Sequence, residues 1–246
     1  MNFIAQNFYH YHQLYKESID NPEQFWNNFA QTEFTWKKPW DNTLSWDFKE
    51  AKVKWFDGAE LNITENCLDR HLDTIGQKTA IIWEPNDPNE AEIKLTYNQL
   101  HAEVCRFANT LLRLGISKGD RVCIYLPMVP ELAIATLACA RIGAIHSVVF
   151  AGFSAQSLKD RINDSACKII LTADGGFTGD KITPLKDIVD QALQDCPSIE
   201  HCLVLKRTNI PISMGPKDKW WSVENDRSDT HCYTAECHGN PCRCWP

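Results

Sequence analysis

The amino-acid sequence predicts an α/β fold: a partial, doubly wound, mostly parallel sheet with helices on both faces, preceded by an aromatic-rich helical and extended N-terminal cap. The first supporting observation is that residues 119–179 alternate short apolar runs with segments of helical spacing. Strands that alternate with helices of about 10–15 residues form parallel sheets covered on both faces. The second is that residues 1–60 carry many aromatic side chains and lack this alternation.

The core elements are predicted in chain order. Strands at Lys78–Trp83 and Ile93–Thr96 form a hairpin across a turn-rich acidic segment. Thr96 and Gln99 have the spacing of a capping box, which starts a helix that runs to Leu114. The further strands are Arg121–Leu126, Ile145–Phe150, Lys168–Leu171 and Cys202–Leu205; the helices are Glu131–Ile142, Ser154–Asn163 and Pro184–Leu193.

The N-terminal residues predict helices and an extended segment. Helices are expected at Phe8–Ile19, Pro22–Phe29 and Asn62–Thr74, and Pro22 suits the first position of its helix because no hydrogen bond is lost there. The aromatic residues between these helices indicate an extended segment docked by apolar burial, a more common arrangement than a stacking surface. They include Trp36, Trp40, Trp46, Phe48, Trp55 and Phe56.

Composition and charge argue against several classes of protein. Of the 246 residues, 43% are hydrophobic and 23% are charged, as in ordinary globular domains. The formal net charge of −7 gives no electrostatic support for binding nucleic acid or an anionic membrane. The first residues do not resemble a signal peptide, and the most apolar window, Leu132–Phe153, is interrupted by Arg141 and His146. We therefore expect a cytoplasmic protein; its oligomeric state stays open.

The eleven cysteines fall into two groups. Seven lie singly in apolar periodic segments, and we expect buried free thiols, because an isolated cysteine behaves as a small hydrophobic side chain. These seven are Cys67, Cys105, Cys123, Cys139, Cys167, Cys196 and Cys202. The other four crowd the last 15 residues: Cys232, Cys237, Cys242 and Cys244.

The C-terminal segment differs in composition from the rest of the chain, since residues 225–246 contain no Leu, Ile, Val, Phe or Met. Its four cysteines, with His231 and His238, are zinc-ligand types, but their spacing matches no common zinc module. Three explanations stay open: a frameshift, which the abrupt change favours, a native disordered tail, and a metal site.

Loops that leave the carboxyl ends of parallel strands carry the ligands in such sheets. Three loops qualify: Leu126–Pro130, Phe150–Ser154 and Thr172–Lys181. The glycines and Lys181 of the last loop suit a phosphate contact, although an ordinary glycine-rich turn is the simpler explanation. Phe150 and Phe153 either flank a planar ring or pack on the sheet. No catalytic residue is predicted and no metal-binding residue is assigned, since the sequence has neither G-x-S-x-G nor H-E-x-x-H; a metal site in the C-terminal segment is only one of the three explanations given above.

Long motifs resemble one enzyme family. The run from LTYNQLHAEV at Leu95 to ILTADGG at Gly176 is similar to the N-terminal part of acetyl-CoA synthetases, the AMP-forming acetate–CoA ligases of the adenylate-forming superfamily. Upstream segments resemble the N-terminal cap of that family, and the similarity covers residues 8–222. These segments are YHQLYKESIDNPEQFW at Tyr11–Trp26, WKKPW at Trp36–Trp40 and WFDGAELNITENCLDRH at Trp55–His71.

The resemblance implies an activity and its small-molecule partners. In the family, acetate and MgATP give acetyl-adenylate and pyrophosphate, and the thiol of CoA then attacks the adenylate to give acetyl-CoA and AMP. Phe150, Ala151 and Gly152 match positions that pack the CoA adenine. Thr178 and Lys181 match positions where the family usually places two arginines against the CoA phosphates. Lys181 keeps the charge but loses the bidentate fork of arginine, and Thr178 keeps only a hydroxyl group.

The resemblance also implies three regions and a loss of activity. We expect an N-terminal cap at 1–65, a truncated first α/β part of the AMP-binding domain at 66–222, and a cysteine-rich non-family tail, disordered or frameshift-derived, at 223–246. The family's ATP phosphate loop, acetate pocket, magnesium ligands and C-terminal domain follow later in its sequence, so we expect this chain to lack the ATP and Mg²⁺ sites and to be inactive alone. A sheet cut short in this way is also expected to leave the strand near Cys202–Leu205 at an edge. The alternatives are a non-catalytic module that binds CoA or a nucleotide, and a metal- or partner-binding tail.

Overall fold

The structure is a computed structural model that describes residues 3–232. It comprises two compact units, which contain residues 3–66 and residues 67–232 of that range. Every helix within it is too short or too polar to cross a membrane. The division into three sequence regions at residues 65 and 222 stays a prediction.

The first unit consists of two helices and a β-hairpin. The helices α1 (Phe8–Asp20) and α2 (Pro22–Glu33) agree with the predicted ones, with α2 four residues longer than expected. The aromatic segment that was predicted only as extended forms an antiparallel pair, β1 (Asn42–Asp47) with β2 (Lys52–Asp57). The irregular spacing of its aromatic residues conceals the two-residue alternation that identifies a strand.

Aromatic burial in this unit is less complete than expected. Trp36, Trp40 and Phe56 pack together with ring centroids 5.0–5.5 Å apart. In contrast, Trp46 and Phe48 are 66% and 88% exposed. One compact aromatic cluster therefore packs on the hairpin through Phe56, while other aromatic side chains of the same segment face solvent.

The helix predicted at residues 62–74 is broken into short pieces. These are α3 (Ile63–Cys67), a 3-10 turn at Asp69–His71, and α4 (Leu72–Ile75). Between the first two pieces, Leu68 has a non-helical backbone (φ −125°, ψ −65°) and its side chain is buried in the core. A tertiary contact thus overrides the local helical preference, which sequence periodicity does not reveal.

The second unit begins with a hairpin and a long helix. β3 (Thr79–Trp83) and β4 (Ile93–Thr96) pair antiparallel, as predicted. The capping box is confirmed at the start of α5 (Tyr97–Arg113): the Gln99 amide donates to Thr96 Oγ1 at 3.2 Å, and the Thr96 amide donates to Gln99 Oε1 at 2.9 Å.

A five-stranded, fully parallel sheet forms the core, in the order β11-β10-β7-β5-β6. The prediction that Cys202–Leu205 lies at an edge is wrong, because β10 is flanked by β7 and by the short strand β11. The salt bridge from Lys186 Nζ to Asp218 Oδ2, at 2.8 Å, helps to hold β11 in place. The strands are β5 (Arg121–Ile124), β6 (Ile145–Val148), β7 (Ile169–Ala173), β10 (His201–Leu205) and β11 (Asp218–Trp220).

Helices cover both faces of the sheet, which confirms the predicted fold class. α5 packs against α6 and α9, whereas α7 packs against α8. The chain moves from β5 to β6 toward one edge of the sheet, and then from β6 through β7 to β10 in the opposite direction. Because β-α-β crossovers are right-handed, the helices of these two directions lie on opposite faces of the sheet. The helices are α6 (Pro130–Arg141), α7 (Ala155–Ser165), α8 (Leu185–Leu193) and α9 (Trp221–Asp226).

The structure revises the interpretation of two cysteines. Five of the seven isolated cysteines are buried free thiols, as expected, but Cys67 is exposed. Cys105 is joined by a disulfide to Cys232. The first residues of the segment predicted as a tail, 223–226, lie in α9. Trp221, at the start of this helix, stacks on Phe107 with ring centroids 3.8 Å apart. Cys237, His238, Cys242 and Cys244 lie outside the described residues.

A buried carboxylate joins the amino ends of the two central strands. Asp120, just before β5, pairs with Lys168, just before β7, at 2.8 Å, and also accepts hydrogen bonds from the amide and hydroxyl of Ser117. Burial raises the pKa of Asp120, but the bonds from Lys168 and Ser117 outweigh burial and hold the pKa below its usual value. Asp120 therefore stabilises the fold above its unfolded pKa of about 3.9, and this stabilisation is lost as the pH falls through the lower, folded-state pKa.

Replacing Asp120 tests this assignment. We expect Asp120→Asn to lower the free energy of unfolding at pH 7 by about 1–3 kcal/mol, the contribution of hydrogen bonds to a charged group. The difference from the unsubstituted chain should shrink below about pH 4, where the carboxyl group also becomes neutral. Urea unfolding at pH 7 and at low pH measures both quantities, with Asp164→Asn at an exposed position of α7 as the control. An equal loss of stability at every pH would contradict the electrostatic role.

Candidate functional site

The carboxyl ends of β5 and β7 form the natural ligand edge of this sheet. After β5 the chain winds to β6 on one side, and after β7 it winds to β10 on the other. Such a reversal leaves a crevice outside the carboxyl ends of the strands, where open α/β sheets bind their ligands. The loops that follow β5, β6 and β7 begin at this edge, and they are the three loops that the sequence singled out.

The loop after β6 presents an exposed aromatic ring. Phe150 is 70% exposed, and its ring lies so close to Gly152 that a Cβ atom there would come within 2.5 Å of Phe150 Cε1. A side chain at position 152 would therefore force the exposed Phe150 ring to shift. Phe153 is less exposed, lies 6.0 Å from Phe150 in an edge-on arrangement, and is covered by the Arg161 guanidinium group at 5.4 Å. Only Phe150 thus offers a free face to a planar ligand.

The loop after β7 is a small hairpin and not a simple turn. β8 (Gly176–Thr178) pairs antiparallel with β9 (Lys181–Thr183), so that Thr178 and Lys181 lie opposite each other beside the turn at Gly179. Gly179 has a φ of +57°, and its carbonyl accepts a hydrogen bond from Asn86 Nδ2 at 2.9 Å. Both predicted phosphate-contacting side chains are exposed.

The predicted site residues therefore form two groups on different loops. Phe150, Ala151 and Gly152 follow β6, and Thr178 and Lys181 follow β7, with β5 between the two strands. At the usual strand spacing, the carboxyl ends of β6 and β7 are about 10 Å apart. The fold brings both groups to one edge without direct contact between β6 and β7.

Asp174 organises this edge and was not singled out from the sequence. Its buried carboxylate accepts backbone N–H donors from the loop after β10: Arg207 at 2.8 Å and Thr208 at 3.0 Å on Oδ1, and Asn209 at 2.6 Å on Oδ2. It also accepts from the amide of Gly175, at 2.7 Å. The carboxylate therefore fixes the loops after β7 and β10 to each other.

Arg207 connects this arrangement to the β3–β4 hairpin. Its guanidinium group lies 5.1 Å from the ring of Trp83 and 4.8 Å from that of Phe177, and it pairs with both oxygens of Glu90 at 3.0 and 2.8 Å. Trp83 in turn donates to the carbonyl of Met128, in the loop after β5, at 2.7 Å. Aromatic and charged contacts thus support the edge from outside the sheet.

The residues at this edge fit a nucleotide-like ligand better than a magnesium ion. An exposed ring beside a glycine can stack with a base, and the exposed cation of Lys181 suits a phosphate. The Asp174 carboxylate, in contrast, is occupied by four backbone amides and is not available to coordinate Mg²⁺.

Comparison with known proteins assigns the family. The sequence profile described as AMP-binding enzyme matches residues 68–241, and the profile described as acetyl-coenzyme A synthetase N-terminus matches residues 11–67. The chain belongs to the AMP-binding enzyme family. The two profiles follow each other along the chain in the order that the sequence motifs predicted.

The similar curated proteins are acetyl-coenzyme A synthetases. One from Magnetococcus marinus is 48% identical over 227 residues, and one from Saccharophagus degradans is 48% identical over 223 residues. These matches cover 92% and 90% of this chain but only 35% and 34% of the relatives. This AMP-binding family member therefore spans about a third of the length of those proteins and corresponds to their N-terminal portion.

A solved structure supports the fold. The acetoacetyl-CoA synthetase from Streptomyces lividans superposes with a TM-score of 0.79 over 90% of this chain and 33% of its own chain, at 24% sequence identity. At that identity the likeness shows the fold alone. It agrees with the predicted α/β class.

Sequence patterns could not identify the supporting residues of the edge. Asp174 was visible only as one residue of a glycine-rich loop, and its partners at 207–209 follow a different strand. Arg207 and its partner Glu90 are 117 positions apart. No periodic or motif-based signal connects residues at such separations.

Replacing Asp174 tests its organising role. We expect Asp174→Asn to destabilise the chain by about 2–4 kcal/mol, because the amide offers fewer acceptor sites and leaves buried N–H groups unsatisfied. Chemical denaturation measures the change, and hydrogen exchange should show faster exchange of the amides of residues 207–209. Asp180→Asn, in the exposed turn of the β8–β9 hairpin, is the matched control. Unchanged protection of those amides would refute the assignment.

Proposed function

We propose that this chain provides the CoA-binding surface of an acetate–CoA ligase. In the complete reaction, acetate and MgATP form acetyl-adenylate and pyrophosphate, and the CoA thiol then takes the acetyl group and releases AMP. The observation that carries the proposal is the exposed ring of Phe150 over Gly152, at the same sheet edge as the exposed Lys181. The names of the similar proteins support acetate as the acid.

Each proposed contact follows from the chemistry of CoA. The adenine ring stacks on Phe150, with Ala151 and the backbone of Gly152 beside it, because an apolar face exposed to water gains by covering a planar base. Lys181 pairs with a phosphate group as a point charge, and the Thr178 hydroxyl donates one hydrogen bond. Lys181 forms no ion pair with the carboxylates of residues 3–232, so its charge is available.

Adenylate formation requires parts of the ligase that lie outside the portion matched by this chain. The similar enzymes are about three times as long, and the family's ATP phosphate loop and magnesium ligands follow later in its sequence than the portion that this chain matches. We propose that the chain alone is inactive in adenylation and that it works in the cytoplasm. The regions 1–65, 66–222 and 223–246 are the corresponding proposed cap, truncated AMP-binding part and tail.

Binding of CoA to the purified chain tests the site. We expect Lys181→Glu to weaken CoA binding by about tenfold or more, because a charge-assisted hydrogen bond is replaced by repulsion. Lys181→Arg should bind at least as tightly as the unsubstituted chain, since guanidinium adds a bidentate contact. Isothermal titration calorimetry measures the affinities, with dephospho-CoA as a second ligand.

Lys49→Glu is the matched control for the CoA experiment, because it makes the same charge change at an exposed turn of the β1–β2 hairpin. If Lys49→Glu weakens binding as much as Lys181→Glu, the effect is general electrostatics and the assigned site is wrong.

Phe150→Ala should weaken CoA binding by about 1–3 kcal/mol through lost stacking, without changing the dependence of binding on salt.

Pyrophosphate release tests the proposed inactivity. We expect the purified 246-residue chain, with acetate and MgATP, to release pyrophosphate at the rate of a blank without protein. A coupled pyrophosphatase assay measures the release, and a full-length acetyl-coenzyme A synthetase is the positive control. Release above the blank that depends on acetate would contradict the proposal.

A further inference from the structure

Three zinc-ligand side chains meet beside α5, away from the edge of the sheet. They are His101 and Cys105 of α5 and Cys232, which follows α9. The Sγ atoms of Cys232 and Cys105 lie 3.3 and 3.6 Å from His101 Nε2, and one ligand atom from each residue lies within 4.8 Å of the others. Tetrahedral zinc bound to sulfur and nitrogen separates these ligands by about 3.5 Å, given its usual bond lengths.

One stripe of α5 creates this arrangement. Residues 101, 105, 109 and 113 are spaced by four, so their side chains lie on the same face of the helix. The first two supply ligands. The last two hold the segment that carries Cys232: Asn109 Nδ2 donates to the carbonyls of Asp229 and His231 at 3.0 and 2.8 Å, and Arg113 pairs with Glu224 at 2.7 Å.

The charges around the cluster suit a divalent cation. Asp69 Oδ1 lies 3.3 Å from His101 Nε2, and Asp69 pairs with the fully buried guanidinium group of Arg141. Arg141 thus neutralises Asp69. Two thiolates and one divalent cation are also neutral together, so the occupied site would place no uncompensated charge beside the core.

The same two sulfur atoms form a disulfide in the structure, and the disulfide and the metal exclude each other. A dithiol reductant converts the disulfide to two thiols and is itself oxidised to a disulfide. The two thiols then bind M²⁺ as thiolates and release two protons. His101 supplies the third bond through the lone pair of an unprotonated Nε2, with the ring proton on Nδ1, so Nε2 no longer donates to Asp69. Water fills the fourth position of the tetrahedron.

We propose that, with both thiols reduced, His101, Cys105 and Cys232 bind a thiophilic divalent cation such as Zn²⁺ and so fasten residues 221–232 to α5. The ligands come from two elements that are separated by more than a hundred positions, and the network of Asn109 and Arg113 already brings them together. This site is independent of the proposed CoA surface. It is also distinct from a zinc module built from the C-terminal cysteines alone, which the sequence spacing disfavours.

Metal titration of the full-length chain, reduced with a phosphine, tests the site. We expect one Zn²⁺ per chain in competition with a chromophoric chelator, and a thiolate-to-metal charge-transfer band with Co²⁺. His101→Ala and Cys232→Ser should each weaken Zn²⁺ binding by about 100-fold or more. Cys67→Ser is the matched control, because Cys67 is an exposed free thiol outside the cluster, and it should leave the affinity unchanged.

Two results would overturn the proposal. One is a reduced, folded chain that binds no Zn²⁺ and shows no charge-transfer band with Co²⁺. The other is binding that survives His101→Ala and Cys105→Ala but is lost in Cys237→Ser, which would place the metal on the C-terminal cysteines alone. Far-ultraviolet circular dichroism verifies that each variant is folded. If a variant does not fold, the number of thiolates bound to Co²⁺ in the unsubstituted chain still decides between the outcomes, since the proposed site contains two.

Discussion

The parallel pairing of β5 with β7 is the contact on which the second unit depends. Both strands are almost completely buried, and the winding of the chain reverses between them. The reversal puts α5, α6 and α9 on one face and α7 and α8 on the other. It also places the ligand edge of such a sheet at the carboxyl ends of the same two strands. Core packing and site location are therefore consequences of one pairing.

A buried aspartate stands at each end of this pair. Asp120 joins the amino ends through Lys168, and Asp174 joins the loop after β7 to the loop after β10 through backbone amides. Parallel strands cannot be connected by tight turns, so their ends need such side-chain contacts to satisfy the backbone and to fix the loops. The two carboxylates have different partners. Asp120 forms an ion pair with Lys168, whereas Asp174 accepts hydrogen bonds from backbone amides.

The helix α5 is the second organising element. Its apolar face, with Val104, Phe107 and Leu111, packs into the core, and a separate polar stripe binds the segment after β11. The apolar face could be predicted from helical periodicity. The polar stripe could not, because Asn109 and Arg113 on the surface of a helix are equally consistent with simple solvation, and their partners begin more than a hundred residues later. The same limitation applies to the hairpin of β8 and β9, where three glycines within a short loop indicated only a turn.

The sequence alone determined the class of fold, the order of the core strands and helices, the capping box and the family, because each depends on local periodicity or on contiguous motifs. It also located the three loops at the ligand edge. Tertiary structure alone decided the position of β10 inside the sheet, the breaks near Leu68, the role of Asp174 and the meeting of His101 and Cys105 with Cys232. These features depend on contacts between residues that are far apart in the chain, and a local sequence pattern does not reveal such contacts.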